Sequence, residues 1–448
     1  MPSFGPSAQE EDNKGAASSR LINCYLQPVM GRGRTSSVLR SVLGTEAFAV
    51  TSRSFFAAAH EFQGDLFAVY DSSLFKITSA GAVSEVGSVA GGNANISSNN
   101  SYLTIAAGGA FFTHLGTTQA RTVTPLADVG SVGYLDQYTL VTERSGRKWA
   151  WSDLADPTTF PALNFASAEA TDDNLLRVIG VNGRVILFKQ FGREIWYNTG
   201  QSGANAFSRM AGGAKNIGLK GFDLVTKTDE ALFYLGSDNI ARITLDGFSE
   251  KKFSYPPVDA AIANDNPTEC FYYEDEGQKF CVIRFGDRPA WVLDLATGLW
   301  HERADGKDHA AWGLRGTAKL GDVWYGFTDS GAVLKLLRNN TDTAGMMRRT
   351  AVSETFYAEE GATLDELEIY ARTGFNDLGR DAQMWVRLSR DGGHTWTLEK
   401  WRSLGTEGNY RQKAAWKAQG RFQQLTIEAN ISDPAEIPIW TDFLLEAA

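Results

Sequence analysis

The amino-acid sequence predicts an all-β protein in which a β-propeller of about seven blades precedes a β-sandwich-like platform. Three observations support this fold class. The 448 residues include 45 glycines, 12 prolines and 12% aromatic residues, a turn-rich composition typical of β architectures. An apolar hairpin recurs from about residue 45 to residue 350. Longer strands of alternating polar and apolar residues follow it to the C-terminus.

The recurring unit is an apolar strand, a turn of Gly, Asp, Ser or Asn, and a second apolar strand. A single hairpin of this kind cannot cover its own apolar faces, whereas radially stacked blades cover them and protect the strand edges. The spacing, roughly 30 to 50 residues, suits four-stranded blades. The seven hairpins are DLFAVYDSSLFKI, YLTIAAGGAFFTH, YLDQYTLVTERSGRKWAWSD, GRVILFKQFGREIWYN, ALFYLGSDNIARITLDG, QKFCVIRFGDRPAWVLDLATG and DVWYGFTDSGAVLKLL.

The domain organisation follows from where this repeat begins and ends. Residues 1–20 have no apolar segment, and we expect an arm that is either flexible or ordered by a partner. Residues 21–44 contain a strand outside the repeat, RLINCYLQPV, which we expect to pack with the C-terminal domain. Residues 45–350 are predicted to form the propeller. Residues 351–448 are predicted to form the sandwich-like oligomerisation platform.

The charge balance excludes several classes of protein. The formal net charge is −10 and the isoelectric point is about 5.2, whereas nucleic-acid binders carry a basic footprint. An acidic surface would let DNA pass without gripping it. The sequence has no apolar run of about eighteen residues, so no membrane-spanning segment is predicted. The three scattered cysteines (Cys24, Cys270 and Cys281) indicate buried thiols in a reducing compartment.

The segment SRDGGHTW matches the Asp-box pattern of sialidases and other β-propeller proteins. Asp391 is placed to accept backbone hydrogen bonds, and the glycines supply the positive φ of a tight hairpin. The box marks a fold element even in sialidases, so we interpret it as a structural turn. Its five defining residues are Ser389, Asp391, Gly393, Thr395 and Trp396.

No metal, cofactor or catalytic site is predicted. The two histidines of WHERADGKDH (300–309) lack the spacing of a zinc motif, and we interpret the segment as a polar loop. The acidic clusters at 171–174, 263–266 and 273–276 lack the residue order of a calcium loop and are expected to be solvated. The sequence also has no P-loop lysine motif and no G-x-S-x-G elbow.

Basic and aromatic residues alternate in the C-terminal hairpin between residues 400 and 422. Such a mixture binds single-stranded nucleic acid or sugar, and it is also typical of protein–protein hot spots. On an acidic chain, we favour docking to another acidic copy or partner. The predicted assembly residues are Arg402, Tyr410, Arg411, Trp416 and Arg421.

Ordered blocks along most of the chain carry a family resemblance. RLINCYLQP is followed by GYLDQYTLV, GREIWYNTG, LFYLGSDNIARI and AWVLDLATGLWHERADG. The most specific block spans residues 388–434, with Trp401, Leu404, Gly405, Gly408, Tyr410, Trp416, Gly420 and a final SDP. These blocks resemble the packaged-DNA stabilisation proteins of short-tailed bacteriophages, also called tail hub or nozzle proteins. The chain departs from that pattern at Gln27, at Gln278 and in its thinner basic run RQKAAWKAQG.

The resemblance implies a structural virion protein that is not an enzyme and holds no cofactor. It implies a ring of about six identical subunits that is assembled in the host cytoplasm and docks on the head-to-tail adaptor. Its other partners would be tail needle, fibre or tailspike proteins. The ring would retain packaged DNA and form its exit channel, with DNA passing the lumen without specific binding.

The alternative is a carbohydrate-binding or sialidase-like propeller protein. It is based on the Asp box and on the twelve tryptophans. A sialidase is expected to repeat the box in several blades and to combine an arginine cluster with a tyrosine nucleophile. Only one complete box occurs in this sequence, and it lies outside the propeller repeat.

Overall fold

The computed structural model describes residues 3–4, 19–29, 36–343, 345–376, 378–435 and 437–447. Most of the arm predicted for residues 1–20 lies outside this described part. In the described part, no helix has both the length and the apolar character needed to cross a membrane. The chain forms a sandwich unit (Met1–Glu46, Glu274–Trp312 and Leu336–Ala448) and a propeller unit (Ala47–Tyr273 and Gly313–Lys335). The domain boundaries given above stay predictions.

Four strands precede the first blade: β1 (Arg20–Ile22), β2 (Cys24–Pro28), β3 (Ser37–Ser41) and β4 (Gly44–Val50). Five blades then follow along the chain, each a four-stranded antiparallel sheet. Blade 1 contains β5 (Phe56–Phe62), β6 (Asp65–Tyr70), β7 (Ser73–Ile77) and β8 (Val83–Ser88). Blade 2 contains β9 (Ala94–Ser98), β10 (Leu103–Ala107), β11 (Ala110–Leu115) and β12 (Thr117–Arg121).

The next three blades repeat this arrangement. Blade 3 contains β13 (Ser131–Leu135), β14 (Tyr138–Thr142), β15 (Lys148–Trp151) and β16 (Phe165–Ser167). Blade 4 contains β17 (Leu175–Val181), β18 (Arg184–Lys189), β19 (Arg193–Asn198) and β20 (Phe207–Arg209), with a short 3-10 turn at Gly203–Asn205. Blade 5 contains β21 (Val225–Lys227), β22 (Leu232–Leu235), β23 (Ala241–Thr244) and β24 (Glu250–Lys252).

The sixth blade is closed by a strand from the other end of the sequence. Helix α1 (Pro256–Asn264) and the strands β25 (Pro267–Asp275), β26 (Gln278–Phe285), β27 (Ala290–Asp294), β28 (Trp300–Asp305) and β29 (Ala310–Ala311) come first. Blade 6 then combines β30 (Leu314–Leu320), β31 (Val323–Thr328) and β32 (Ala332–Leu337) with β4. The N-terminal strand therefore completes the last blade of the ring.

The predicted propeller is confirmed, with six blades as separate sheets where about seven were expected. All seven predicted hairpins are strand pairs, but the pair β26–β27 belongs to a larger sheet. The first half of β25 lies between blades 5 and 6. There the Cys270 N–H donates to the Asp223 carbonyl at 2.8 Å, and the Thr317 hydroxyl donates to the Tyr272 carbonyl at 2.6 Å.

Adjacent blades are joined by apolar clusters and by buried polar links. Between blades 3 and 4, the Trp149 ring lies 5.3 Å from the Trp196 ring and 5.4 Å from the Phe207 ring. Between blades 2 and 3, the Asn95 side chain donates to the Val132 carbonyl at 2.5 Å and accepts from the Val132 N–H at 3.0 Å. Large rings supply burial at these junctions, and the amide satisfies backbone groups that would otherwise be unpaired.

The C-terminal part of the chain forms a sandwich built on one long strand. Its strands are β33 (Thr341–Asp342), β34 (Gly345–Met346), β35 (Arg349–Val352), β36 (Phe356–Ala371), β37 (Gln383–Ser389), β38 (Lys400–Ser403), β39 (Ala414–Ile431) and β40 (Ile439–Ala447). The first part of β39 pairs with β36, and its last six residues pair with β37. Strand β39 therefore contributes to both layers around one apolar core.

The N-terminal strands belong to the same large sheet, which confirms the predicted sandwich of C-terminal strands with an N-terminal one. Strand β1 lies between β35 and β28, and β3 pairs with β40. The buried Arg349 side chain reinforces this closure. It donates to the Ser41 hydroxyl at 2.8 Å, to the Ala435 carbonyl at 2.7 Å and to the Asp433 carbonyl. A second buried arginine, Arg303, donates to residues of the N-terminal segment in the same way.

We expect Arg349→Ala to lower the free energy of unfolding by about 3 kcal/mol, because buried acceptors lose their donors. The measurement is urea denaturation of the full chain, followed by circular dichroism. The matched control is Lys417→Ala, which removes an exposed ion pair with Glu366 (3.7 Å) and should cost less than about 1 kcal/mol. Equal effects of the two substitutions would contradict the role given to Arg349.

Candidate assembly surface and the Asp-box turn

The Asp-box turn connects β37 to β38, and its polar atoms form a closed network. The Ser389 hydroxyl donates to Asp391 Oδ1 at 2.7 Å and accepts from the Gly393 N–H at 2.8 Å. Asp391 Oδ1 also accepts from the N–H groups of His394 (3.0 Å) and Thr395 (2.9 Å). Asp391 Oδ2 accepts from the Thr395 hydroxyl at 2.6 Å. These bonds stabilise the ionised carboxylate, so the pKa of Asp391 lies well below its ordinary value.

The remaining box residues shape the loop. Gly392 and Gly393 have φ angles of 71° and 95°, which side-chain-bearing residues rarely adopt. The Trp396 ring is half-buried, and the Arg387 guanidinium lies 5.6 Å from its centroid. Both Asp391 oxygens are used in holding the turn. The geometry therefore supports the interpretation of the box as a structural turn, although its role in the protein stays a prediction.

The predicted assembly residues divide into an exposed set and one core residue. The exposed set is Arg402 on β38, Tyr410 and Arg411 in the loop between β38 and β39, and Arg421 on β39. Trp416 is only 1% exposed, and its indole N–H donates to the Lys400 carbonyl at 2.8 Å. The inclusion of Trp416 among the surface contacts is wrong, because its ring is part of the apolar core of the sandwich.

Two of the exposed arginines are held in place by backbone carbonyls. Arg402 Nε donates to the Ala415 carbonyl at 2.7 Å, and Arg421 Nη2 donates to the Glu360 carbonyl at 2.8 Å. Neither of these two bonds involves a carboxylate, so they leave the positive charge of both guanidinium groups uncompensated at the surface. An arginine with a fixed orientation loses less side-chain entropy when it meets a partner.

Two lysines of this region have their charge compensated by glutamates that are not near them in sequence. Lys413 lies 3.1 Å from Glu368, and Lys417 lies 3.7 Å from Glu366. Both glutamates come from β36, about fifty residues earlier in the chain. Sequence reasoning missed them because only the register of β36 against β39 brings these side chains together. The arginines therefore carry most of the uncompensated positive charge.

The histidine segment contains a core strand where a polar loop was expected. His301 lies in β28, is 1% exposed and packs against Tyr25 and Phe280, with ring centroids 5.9 and 5.7 Å away. Burial lowers the pKa of His301 to about 3. In the described part of the chain, no three His, Cys, Asp or Glu side chains are grouped as metal ligands.

The acidic clusters are more structured than expected. In cluster 171–174, the largely buried Asp173 Oδ1 lies 3.7 Å from Nζ of the buried Lys189. In cluster 273–276, Asp275 is buried and lies 2.5 Å from Arg338. The expectation of purely solvated faces is therefore wrong for Asp275, whose charge is compensated by an arginine.

Blades 4 and 5 contain a combination of residue types that sialidase chemistry uses. The Arg193 guanidinium donates to the Tyr234 hydroxyl at 2.8 Å and to Glu250 Oε2 at 2.9 Å, and Arg242 lies 3.9 Å from the same carboxylate. The Tyr234 hydroxyl also donates to Glu250. Tyr234 is fully buried, and burial raises the pKa of its hydroxyl. The cluster therefore joins two blades, and its tyrosine has no exposed surface. No sequence motif indicated it.

We expect Asp391→Ala to accelerate amide hydrogen exchange at His394 and Thr395, because both N–H groups lose their acceptor. In the unchanged protein, protection should be complete above the ordinary carboxyl pKa, about 3.9, and should be lost as the pH falls through the lower folded-state pKa. Exchange followed by NMR or mass spectrometry measures both effects. Asp365→Ala, at an exposed aspartate of β36, is the control. Unchanged exchange in Asp391→Ala would refute this account of the turn.

Solved structures with partial likeness are unrelated in sequence. The computationally designed protein Ika8 gives a TM-score of 0.42 at 8% identity and covers 65% of this chain and 99% of its own. PorZ of Porphyromonas gingivalis gives 0.40 at 11% identity, with 73% and 45% covered. BamB of Moraxella catarrhalis gives 0.40 at 11% identity, with 70% and 93% covered. These TM-scores are too low to support an argument about this chain.

Family models give a specific result. No curated protein matches the chain. Residues 18–338 match the model described as bacteriophage P22 Gp10, β-propeller, and residues 348–427 match the model described as bacteriophage P22 Gp10, β-sandwich. The two matches together span nearly the whole chain and follow the order of the propeller and sandwich strands. The chain therefore belongs to the bacteriophage P22 Gp10 family of packaged-DNA stabilisation proteins, which are structural proteins of the phage tail.

Proposed function

We propose that this protein is the nozzle of a short-tailed phage tail. About six copies form a closed ring that docks on the head-to-tail adaptor, retains the packaged DNA and provides its exit channel. The observation that carries this proposal is the pair of family matches, which together span nearly the whole chain. On this proposal the protein is assembled in the host cytoplasm, acts in the virion and performs no catalysis.

The charge of the chain supports the proposed channel. With a net charge of −10, each subunit repels polyanions overall, and a ring of such subunits lets DNA move without gripping it. Specific DNA binding would require a cluster of basic residues that neutralises phosphates, and it would slow ejection. Tail needle, fibre or tailspike proteins are the proposed partners at the remaining surfaces of the ring.

The proposed contact between subunits or with the adaptor uses the exposed arginines of β38, β39 and the loop between these strands. Arg402, Arg411 and Arg421 present positive charge on an acidic chain, so the acidic surface of another copy is electrostatically complementary to them. Tyr410 is 61% exposed, and its ring lies 4.8 Å from the Phe375 ring. Exposed aromatic residues beside arginines are typical of the energetic centre of an interface.

Quantitative mass spectrometry of purified particles tests the proposed function directly. We expect roughly one copy of this chain for every two portal chains, as about six copies beneath a twelve-fold portal would require. Absence of the chain from particles would refute the nozzle proposal. A different whole-number ratio would refute the six-fold ring and leave only the family membership.

We expect the double substitution Arg411→Glu and Arg421→Glu to weaken ring assembly by at least about tenfold, because like charges would then face each other across the contact. Mass photometry of the purified chain, alone and with the adaptor, measures this effect. The control is Arg144→Glu, at an exposed arginine of the propeller unit. Assembly of the double variant at the level of the control would exclude this surface as the interface.

A further inference from the structure

The sandwich unit contains a cavity of about 480 Å³ whose wall includes two tryptophans, Trp385 and Trp401. This volume lies in the range of small-molecule sites, roughly 300 to 1,000 Å³. Neither the family description nor the proposed nozzle function assigns a role to it. The cavity is distinct from the Asp-box loop and from the arginines of the proposed interface.

The two indole rings form a built aromatic platform. Their centroids are 4.4 Å apart and their planes differ by 26°, which is a stacked arrangement. Trp385 is 4% exposed, and the Arg348 guanidinium lies 5.4 Å from its ring. The Trp401 indole N–H donates to Glu399 Oε2 at 3.2 Å, which fixes the orientation of the ring in its plane. The platform is therefore ordered before any ligand arrives.

Trp401 remains 47% exposed although it is stacked on its neighbour. Trp385 covers one face of the ring, so the exposed surface is the opposite face and the edges. The negative face of an aromatic ring attracts groups with partial positive charge. The C–H groups on one face of a pyranose ring have that character and are also apolar. A sugar ring therefore fits such a platform in shape and in charge.

The polar wall of the cavity is balanced in charge. Its three cations are Lys307, Arg348 and Arg380, and its three carboxylates are Asp308, Glu399 and Asp433. The wall therefore carries no net charge. A polyanion such as single-stranded nucleic acid needs an excess of positive charge, which this wall does not provide. Carboxylates and guanidinium groups together offer acceptors and donors to neutral hydroxyl groups.

We propose that this cavity binds an uncharged saccharide, with a pyranose ring stacked on Trp401 and its hydroxyl groups bonded to the charged wall. The proposal does not depend on the nozzle function, because it rests on the cavity alone. A protein partner that covers Trp401 is the competing occupant. The balanced wall and the volume of the cavity favour a small, hydroxyl-rich ligand over a protein surface.

The test uses the full chain with neutral mono- and disaccharides, followed by tryptophan fluorescence and isothermal titration calorimetry. We expect a dissociation constant of about 1 mM for at least one of them. A glycan array that displays neutral and acidic oligosaccharides, together with purified host surface polysaccharide, shows whether the saccharide is recognised free or on a cell surface. Binding only to the displayed forms would indicate that the ligand is a saccharide of a cell surface. Binding to both forms would indicate that the cavity accepts free and surface-bound saccharide alike.

Trp401→Ala should weaken saccharide binding by at least about tenfold, whereas Trp401→Phe should retain part of it. Glu399→Gln, a milder change in the same wall, should weaken binding about threefold. Leu398→Ala is the matched control, because Leu398 is 90% exposed on the same segment and does not line the cavity. Circular dichroism and thermal melting verify that each variant is folded, and Glu399→Gln supplies the test should Trp401→Ala fail to fold.

Three outcomes would overturn the proposal. The first is no signal from any neutral saccharide, either free at about ten times the expected dissociation constant or displayed on the array. The second is binding that Trp401→Ala leaves unchanged or that is limited to acidic glycans. The third is loss of a protein contact in Trp401→Ala without any saccharide binding, which would make the platform a protein-docking surface. None of these results would alter the copy number in particles, so the nozzle proposal stands or falls separately.

Discussion

Both units are closed by strands that are remote in sequence from the strands they pair with. Blade 6 has three strands from residues 314–337 and needs β4, from residues 44–50, as its fourth. The large sheet of the sandwich unit likewise needs β1 between β35 and β28. Unpaired strands at these positions would expose backbone groups that template aggregation. Because such long-range pairs form late and slowly, the N-terminal segment is expected to complete folding rather than begin it.

Features encoded in short windows of sequence were predictable, and features that depend on register were not. The seven hairpins were found because alternation and turn residues are visible within about twenty residues. The burial of Trp416 and the pairing of Lys413 with Glu368 depend on how β36 aligns with β39. That alignment shifts at two irregular positions along β36, and each shift changes which side chains face each other. Such register shifts cannot be predicted from the spacing of residues in the sequence.

The buried arginine–tyrosine–glutamate cluster shows why residue types do not define a catalytic site by themselves. Arg193 is hydrogen-bonded to Tyr234 and to Glu250, and arginine with tyrosine is the combination expected of a sialidase. Tyr234, however, has no exposed surface, and burial raises the pKa of its hydroxyl. An activated nucleophile needs a lowered pKa and access to substrate. Here these contacts instead provide hydrogen-bond acceptors for the buried Arg193 guanidinium and so link two blades.

Strand β38 relates the two proposed surfaces of the sandwich unit. Trp401 and Arg402 are consecutive residues of this strand, and consecutive side chains of a strand point to opposite faces. Trp401 therefore lines the cavity on one face, while Arg402 points to the other face and donates to the Ala415 carbonyl. Because the strand is short and bonded to β37, a change in one side chain need not move the other. On the two proposals, saccharide binding and ring assembly use opposite faces of β38, and a ring of about six subunits would present the cavity in as many copies. Such repetition would convert a weak site into strong attachment to a surface that displays the sugar many times.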